Sequence, residues 1–254
     1  MDIRMEKKGA VLEIMMDRPS KKNAITAEMY AMMAEALREG ATDGGVRVIL
    51  IRGTRETFCA GNDIEDFIKA PPNAEGHAVF RFMEELSHAT KPIVAAVVGP
   101  AVGIGTTMLL HCDLVYVADS ARFSVPFTSL GLCPENASSY LLPLVAGHQR
   151  AAELLLLGEP FGADKAAECG FVTQVLPAND VLNAARAACA KLAALPPKSV
   201  RITKALLKRP HLALIEEHIR AEADAFRPML AEPAAREAFA AFKERRKPDF
   251  SKVS

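Results

Sequence analysis

The chain has 254 residues, of which 50% are hydrophobic, and its basic and acidic side chains balance to a net charge of zero. This length and composition allow one large hydrophobic core, with room for an appendage. Zero net charge does not favour a broad basic surface for nucleic acid or anionic lipid. The composition therefore indicates a globular protein without a broad nucleic-acid or membrane surface, and it leaves local basic clusters open.

The five cysteines are scattered in mostly apolar surroundings, and no two of them have CxxC spacing. An odd number of cysteines without pairing pattern indicates buried thiols in a reducing compartment. The charged start of the chain does not resemble a signal peptide, and the apolar runs are shorter than a membrane span. The six histidines form no metal-ligand motif. We therefore expect a cytoplasmic protein with no metal site.

Hydrophobic periodicity predicts the elements in chain order. Two short apolar segments joined by Lys8-Gly9 indicate a hairpin, and helical spacing follows from residue 25 to residue 39, with Thr26 as N-cap. Apolar runs predict strands at 46–51, 93–98 and 114–117. Helical patterns lie at 74–89, 105–110, 137–144 and 150–156. Strands that alternate with helices and are apolar on both faces indicate a layered α/β fold with parallel pairing.

The pattern changes after Leu195-Pro196-Pro197. Segments 199–208, 211–226 and 232–247 all have helical periodicity, and no strand pattern lies among them. We therefore predict an α/β core at 1–195 and a C-terminal helical region at 196–254.

Two glycine-bearing turns follow predicted strands, Phe58–Ile64 and Gly99–Thr107. Glycine lets the backbone turn sharply and brings its N–H groups close to a ligand. The pattern predicts a helix that begins near Gly105, and the first amides of a helix are unpaired. Two such amides can converge on one oxygen as an oxyanion hole. Each turn taken alone is also compatible with an ordinary turn, and neither matches GxGxxG or a P-loop.

Taken together, these motifs resemble the crotonase (enoyl-CoA hydratase/isomerase) superfamily. The resemblance rests on Phe58–Ile64, Gly99–Gly105 and Cys112-Asp113, and it extends nearly end to end. It implies an α/β spiral of ββα units with a C-terminal helical trimerisation region, assembled as a homotrimer or homohexamer. It also implies a coenzyme A thioester as substrate, no permanently bound cofactor, and no nucleic-acid or membrane partner.

The resemblance also implies roles for particular residues. The oxyanion amides would belong to Ala60 and Ile104, the latter replacing a family glycine. Two prolines, a glycine and small polar residues at 70–76 predict a mobile loop, which would lie beside the acyl channel. The implied substrate and coenzyme A contacts are Lys22, Ala24, Ala60, Gly61, Asn62, Asp63, Ile64, Gly103, Thr107, Phe127, Leu132, Pro134 and Arg245. Asp63 can instead cap the next helix, and Asp113 has the character of a structural hydrogen-bonding residue.

The positions of the two glutamates that family hydratases use are occupied by Thr107 and Phe127. Neither side chain is a general base near neutral pH. One carboxylate remains at a position that the superfamily uses for chemistry, Glu135, within a stretch that resembles the Δ3,Δ2-enoyl-CoA isomerase branch. Those isomerases commonly carry glycine where this chain has Asn136. The alternative is that Glu135 only favours the dipole of the following helix.

The resemblance therefore predicts an isomerase that moves a double bond from C3 to C2 of an enoyl-CoA in fatty acid β-oxidation, with Glu135 as the base. Apolar neighbours would raise the pKa of Glu135, and a nearby helix N-terminus would lower it. Two alternatives stay open. One is an enoyl-CoA hydratase or another crotonase-family acyl-CoA enzyme, and the other is a catalytically silent acyl-CoA-binding subunit.

Overall fold

The structure is a computed structural model that describes residues 2–69 and 77–253. The predicted loop at 70–76 lies outside the described residues. The strands are β1 (Ile3–Lys8), β2 (Val11–Met16), β3 (Val48–Arg52), β4 (Ile93–Val97), β5 (Pro100–Val102), β6 (Leu114–Ala118), β7 (Arg122–Ser124), β8 (Phe161–Gly162) and β9 (Gln174–Leu176). They form a six-stranded sheet in the order β1-β2-β3-β4-β6-β9 and a three-stranded sheet in the order β5-β7-β8.

The large sheet is parallel apart from its first strand. β1 and β2 form the predicted antiparallel hairpin, in which Ile3 lies opposite Met16. The three apolar runs form β3, β4 and β6, and each pairs in parallel with its neighbour. Every residue of β4 is buried, which explains its unbroken apolar run, because helices cover both faces of a parallel sheet. The predicted strands and their parallel pairing are confirmed.

The helices are α1 (Ala27–Thr42), α2 (Ile64–Lys69), α3 (Ala78–Ser87), α4 (Ile104–Thr107), α5 (Ser138–Ala146), α6 (His148–Ala152), α7 (Ala163–Glu168), α8 (Ala178–Ala194), α9 (Pro197–Lys208), α10 (Leu212–Met229) and α11 (Pro233–Glu244). The Thr26 hydroxyl accepts a hydrogen bond from the Met29 amide at 3.2 Å, so the predicted N-cap of α1 is confirmed. The sequence patterns predicted no bounds for α2, and they did not predict α7, α8, β5, β7, β8 or β9. None of the described helices is both long enough and apolar enough to cross a membrane.

The C-terminal region is helical, as predicted. Phe226 of α10 and both Ala235 and Phe239 of α11 belong to the same buried cluster as the sheet. α10 packs against α3 and α5, so this region forms one wall of the core. The division into two units at residue 195 stays a prediction.

Candidate functional site

The two glycine turns are joined by backbone hydrogen bonds. The Cys59 N–H donates to the Pro100 carbonyl at 2.9 Å, and the Val102 N–H donates to the Cys59 carbonyl at the same distance. Cys59 thereby pairs with Ala101 as a short parallel bridge. These hydrogen bonds hold the first turn against β5, which forms part of the second turn.

Glycine is required where the turns touch. A Cβ atom on Gly105 would lie 2.9 Å from both the Cβ and the carbonyl oxygen of Cys59. A Cβ on Gly61, whose φ is +90°, would lie 3.2 Å from the Val102 carbonyl oxygen. Any larger residue at Gly105 would push the backbones apart, so the glycines set how closely the two turns approach.

Ile104 is the first residue of α4 and is fully buried. Its N–H finds no acceptor among the described residues, as expected for the first turn of a helix. Gly103, at φ +54°, makes the turn into α4 and donates its own N–H to the Ser124 carbonyl at 2.9 Å. The second turn therefore leaves the Ile104 amide without an acceptor among the described residues, and its role as an oxyanion donor stays a prediction.

The first turn differs from the prediction. The Ala60 N–H donates to the Lys22 carbonyl at 3.0 Å, so this amide is engaged and the prediction of Ala60 as a free oxyanion donor is wrong. The Gly61 carbonyl and the Asp63 N–H both pair with Ile25, at 2.8 and 2.9 Å. In such parallel pairing the intervening residue directs its amide to the opposite side. The Asn62 N–H accordingly finds no acceptor in the described parts of the chain.

The same pairing brings the segment around Lys22 and Ala24 to residues 60–64, which are the positions predicted to contact coenzyme A. Lys22 is exposed, whereas Ala24, Asn62 and Ile64 are half-buried. The phenol of Tyr30 donates to the Asn62 side-chain oxygen and so fixes the position of that side chain.

Asp63 is a capping residue. Its side chain accepts from the Asp66 amide at 3.1 Å and from the Arg18 guanidinium at 2.7 Å. Although burial opposes the charge, these contacts and the nearby Arg18 charge lower the pKa of Asp63. Asp113 accepts from the Ile93 amide and from Lys204, each at 2.7 Å, so its structural role is confirmed as well.

Glu135 lies in a buried turn between β7 and α5. Gly131, at φ +67°, passes so close to α11 that a Cβ there would lie 2.7 Å from the Ala234 backbone. The chain then folds back through a hydrogen bond from the Leu132 N–H to the Phe127 carbonyl at 2.9 Å. Leu132 and Phe127 are buried and Pro134 is half-buried, so the approach to Glu135 is mainly apolar.

The Glu135 side chain is only 7% exposed, and its Oε1 has no partner among the described residues. It lines a cavity of about 20 Å³, which has room for one water molecule. Apolar side chains of α2, α3 and α10 form most of the wall, including Phe67, Met83 and Phe226. Burial, and then the charge of Glu222, raise the pKa of Glu135 to about 8.

Sequence reasoning missed Glu222. From α10, its carboxylate accepts the Ala137 N–H at 2.6 Å and the Ser139 N–H at 2.9 Å. These are the amides at the start of α5, so Glu222 takes the capping role that the alternative interpretation gave to Glu135. Burial raises the pKa of Glu222, although the two backbone N–H groups oppose this. The available signal was a carboxylate within the apolar stripe of α10, where Ile215, Ile219 and Phe226 recur at helical spacing.

The turn that Glu222 holds is conformationally unusual. Asn136 and Ala137 have φ values of +60° and +56°, in the left-handed region that non-glycine residues rarely adopt. His111 donates from Nε2 to the Asn136 backbone carbonyl at 2.9 Å. Burial lowers the pKa of His111 to about 4 and keeps the ring neutral. The turn is therefore fixed from two sides.

Electrostatics connects Glu135 with the glycine turns. After burial, the charge of Glu135 is the next cause that raises the pKa of Tyr30, and it also contributes to raising that of Cys59 to about 12. Tyr30 contacts Asn62, and Cys59 holds the two turns together. The carboxylate is thus electrostatically coupled to Tyr30 and Cys59, the two residues that support the first turn.

The remaining predicted residues are less informative. Thr107 is fully buried, and its hydroxyl has no partner among the described residues. Arg245 is exposed at φ +55°, just after α11. Its predicted contact with coenzyme A stays a prediction. Within residues 2–69 and 77–253, no three His, Cys, Asp or Glu side chains are grouped as a metal site would require.

Comparison with known proteins decides the family. A sequence profile of the family "Enoyl-CoA hydratase/isomerase" matches residues 6–253. The chain belongs to this family. The enoyl-CoA delta isomerase 2 of Rattus norvegicus is 39% identical over 207 residues, which are 79% of this chain and 53% of that protein. The chain therefore spans about half the length of that relative. The 1,2-epoxyphenylacetyl-CoA isomerase of Escherichia coli K12 is 32% identical over 248 residues, 95% of each chain.

Solved structures support the fold of this family member. OdaA of Pseudomonas aeruginosa superimposes with a TM-score of 0.93 and 46% identity, over 95% of this chain and 98% of that one. The crotonase resemblance and the α/β fold with a C-terminal helical region are confirmed.

Proposed function

We propose that this family member is a Δ3,Δ2-enoyl-CoA isomerase that serves fatty acid β-oxidation, with Glu135 as its single acid–base group. The observation that carries the proposal is the Glu135 carboxyl, which is buried in a small, mainly apolar cavity with no hydrogen-bond partner for its Oε1 among the described residues. Its relatives include enoyl-CoA delta isomerases, which supports the same assignment.

The reaction requires one proton transfer in each direction. Glu135 removes a proton from C2 of the 3-enoyl thioester, and the C–H electron pair enters a dienolate whose charge collects on the thioester oxygen. The free amides of Asn62 and Ile104 donate to that oxygen. Glu135 then returns the proton to C4, and the double bond lies between C2 and C3. Asn62 replaces Ala60 in this role because the Ala60 amide is engaged with Lys22.

Hydration would need a second group to hold water. The positions predicted for that role carry Thr107 and Phe127, neither of which is a base at neutral pH. The nearby carboxylate of Glu222 has both oxygens engaged by backbone amides, so it is poorly placed to activate water. The geometry therefore favours isomerisation over two-carboxylate hydration.

Coenzyme A would lie along the segments that meet at the first turn. Lys22 offers an exposed cation there, and Ala24 and residues 60–64 offer backbone and apolar contacts. Arg245 would contribute a second cation, and a homotrimer or homohexamer is the assembly that we propose. The cytoplasmic location stays a prediction.

The decisive experiment uses Glu135→Gln with 3-hexenoyl-CoA and with crotonyl-CoA, followed by ultraviolet absorbance. We expect kcat for conjugation of 3-hexenoyl-CoA to fall about 10³-fold or more, because glutamine cannot accept the C2 proton. Binding of hexanoyl-CoA, measured by calorimetry, should change little.

Glu159→Gln, at an exposed position, is the matched control and should behave as the wild type. Unchanged turnover in Glu135→Gln would rule out the proposed base. Hydration of crotonyl-CoA without isomerisation by the wild type would favour a hydratase, and binding without either reaction would favour a silent subunit.

A further inference from the structure

The Asn136 side chain is buried without a partner. It is 1% exposed, and neither its Oδ1 nor its Nδ2 forms a hydrogen bond with any described residue. A primary amide offers two donors and one acceptor, and burying them unsatisfied costs free energy. Such groups in native proteins are expected to meet a ligand or an ordered water.

The backbone does not explain the choice of asparagine. Asn tolerates left-handed conformations because its side chain can hydrogen-bond locally, and here it makes no such bond. Glycine would adopt the φ of +60° with less strain. The amide therefore needs an explanation beyond the turn itself.

The backbone that carries the Asn136 side chain is fixed on both sides. His111 holds the Asn136 carbonyl at 2.9 Å, and Glu222 holds the next amide, that of Ala137, at 2.6 Å. Asn136 lines the same cavity as Glu135, and the other lining groups are mostly apolar. A cavity of about 20 Å³ matches the space that one oxygen substituent needs.

We infer that the acyl group of the substrate carries a hydroxyl or carbonyl oxygen beyond C4, and that the Asn136 amide binds this oxygen. The inference rests on the proposed function, because Glu135 must reach C2 and C4. The adjacent Asn136 then faces the next carbons, C5 and C6. A purely hydrocarbon chain would leave the amide unsatisfied, and sites built to hydrogen-bond a substrate group discriminate strongly against analogues that lack it.

Binding of saturated analogues tests this inference without requiring catalysis. We would measure the affinities of hexanoyl-CoA, 5-hydroxyhexanoyl-CoA and 6-hydroxyhexanoyl-CoA for the wild type by calorimetry. We expect at least one hydroxylated analogue to bind about tenfold more tightly than hexanoyl-CoA. In Asn136→Gly the ratio should fall to within about twofold, and glycine suits the local backbone, so the variant should fold.

Ala137→Gly is the matched control, because it relaxes the same left-handed turn and leaves the amide in place. It should retain the preference for the hydroxylated analogue. Equal affinities in the wild type, as a bridging water would give, overturn the inference, and so does an undiminished preference in Asn136→Gly or failure of all three analogues to bind. If the preference holds but 3-enoyl-CoA is not isomerised, the proposed function fails and the polar subsite stands.

Discussion

The two halves of the candidate site are built in different ways. The glycine turns lie within about 50 residues of each other and are joined directly by backbone hydrogen bonds through Cys59. The turn that carries Glu135 is instead held by Glu222, 85 residues further along the chain. The donor half is thus local and made of backbone, whereas the base half depends on one distant side chain.

Because the two halves are built differently, we expect them to be sensitive to different kinds of substitution. The donor half should be sensitive to side-chain volume, because its amides are placed by close approach of two backbones. The base half should be sensitive to charge, because Glu135 and Glu222 line the same cavity and, of the two, only Glu222 accepts hydrogen bonds from backbone amides.

After loss of the proposed base itself, the largest effect is expected from Gly105→Ala. The added Cβ would lie 2.9 Å from Cys59, so the two turns must separate. The amides of Asn62 and Ile104 could then no longer donate to the same oxygen. We expect kcat/KM for 3-hexenoyl-CoA to fall about 10²-fold or more. Gly44→Ala is the control, since nothing lies within 4 Å of a Cβ at Gly44. Wild-type activity in Gly105→Ala would show that the turns need not touch.

Glu222→Gln should have the next largest effect. Glutamine can accept only one of the two amides with its oxygen, so the turn loosens and kcat should fall about 10-fold to 100-fold. Loss of the neighbouring charge should also move the pH dependence of kcat to lower pH.

Glu217→Gln, exposed on the same helix, is the control for this measurement. A lower kcat with an unchanged pH profile would assign Glu222 a structural role only. An unaltered kcat in Glu222→Gln would show that Glu222 is not needed to hold the turn of Glu135.

The wild-type pH profile should show a smaller effect. Since the base must be ionised and its pKa is about 8, kcat/KM should rise about tenfold between pH 7 and pH 9 and then level off. Stopped-flow assays with 3-hexenoyl-CoA in buffers of constant ionic strength would measure this. A flat profile from pH 6 to pH 9 would mean that Glu135 is already ionised in the working enzyme.

The smallest effect concerns stability. The pKa of Glu135 is raised in the folded state, so its ionisation opposes folding increasingly as the pH rises from its unfolded value, near 4.5, towards 8. Glu135→Gln removes this cost, and we expect its Tm to exceed that of the wild type by about 5 °C at pH 8.5 and by less at pH 5.5. Calorimetry at both pH values would measure this. An equal rise in Tm at both pH values would contradict a raised pKa of Glu135 in the folded state.

The sequence predicts the donor half better than the base half. Glycine spacing locates both turns, but which amide of the first turn is free depends on the pairing with Ile25 and Lys22, and no local pattern shows that pairing. The resemblance to the isomerase branch, together with the absence of both hydratase glutamates, implies Glu135 as the base. The role of Glu222 could not be predicted, because its contact with the start of α5 joins two segments far apart in sequence. Helical periodicity places Glu222 on a buried stripe but does not identify the residues that it contacts.

The dependence of Glu135 on Glu222 bears on how the protein is made. A ribosome synthesises the chain from its N-terminus, so the segment that carries the base emerges long before its clamp. The sheet and its glycine turns can assemble in the meantime, while the Asn136–Ala137 turn still lacks the acceptor of its amide protons. A nascent chain in which α10 has not yet been synthesised would therefore lack the side chain that fixes the turn of Glu135, even when both glycine turns have formed.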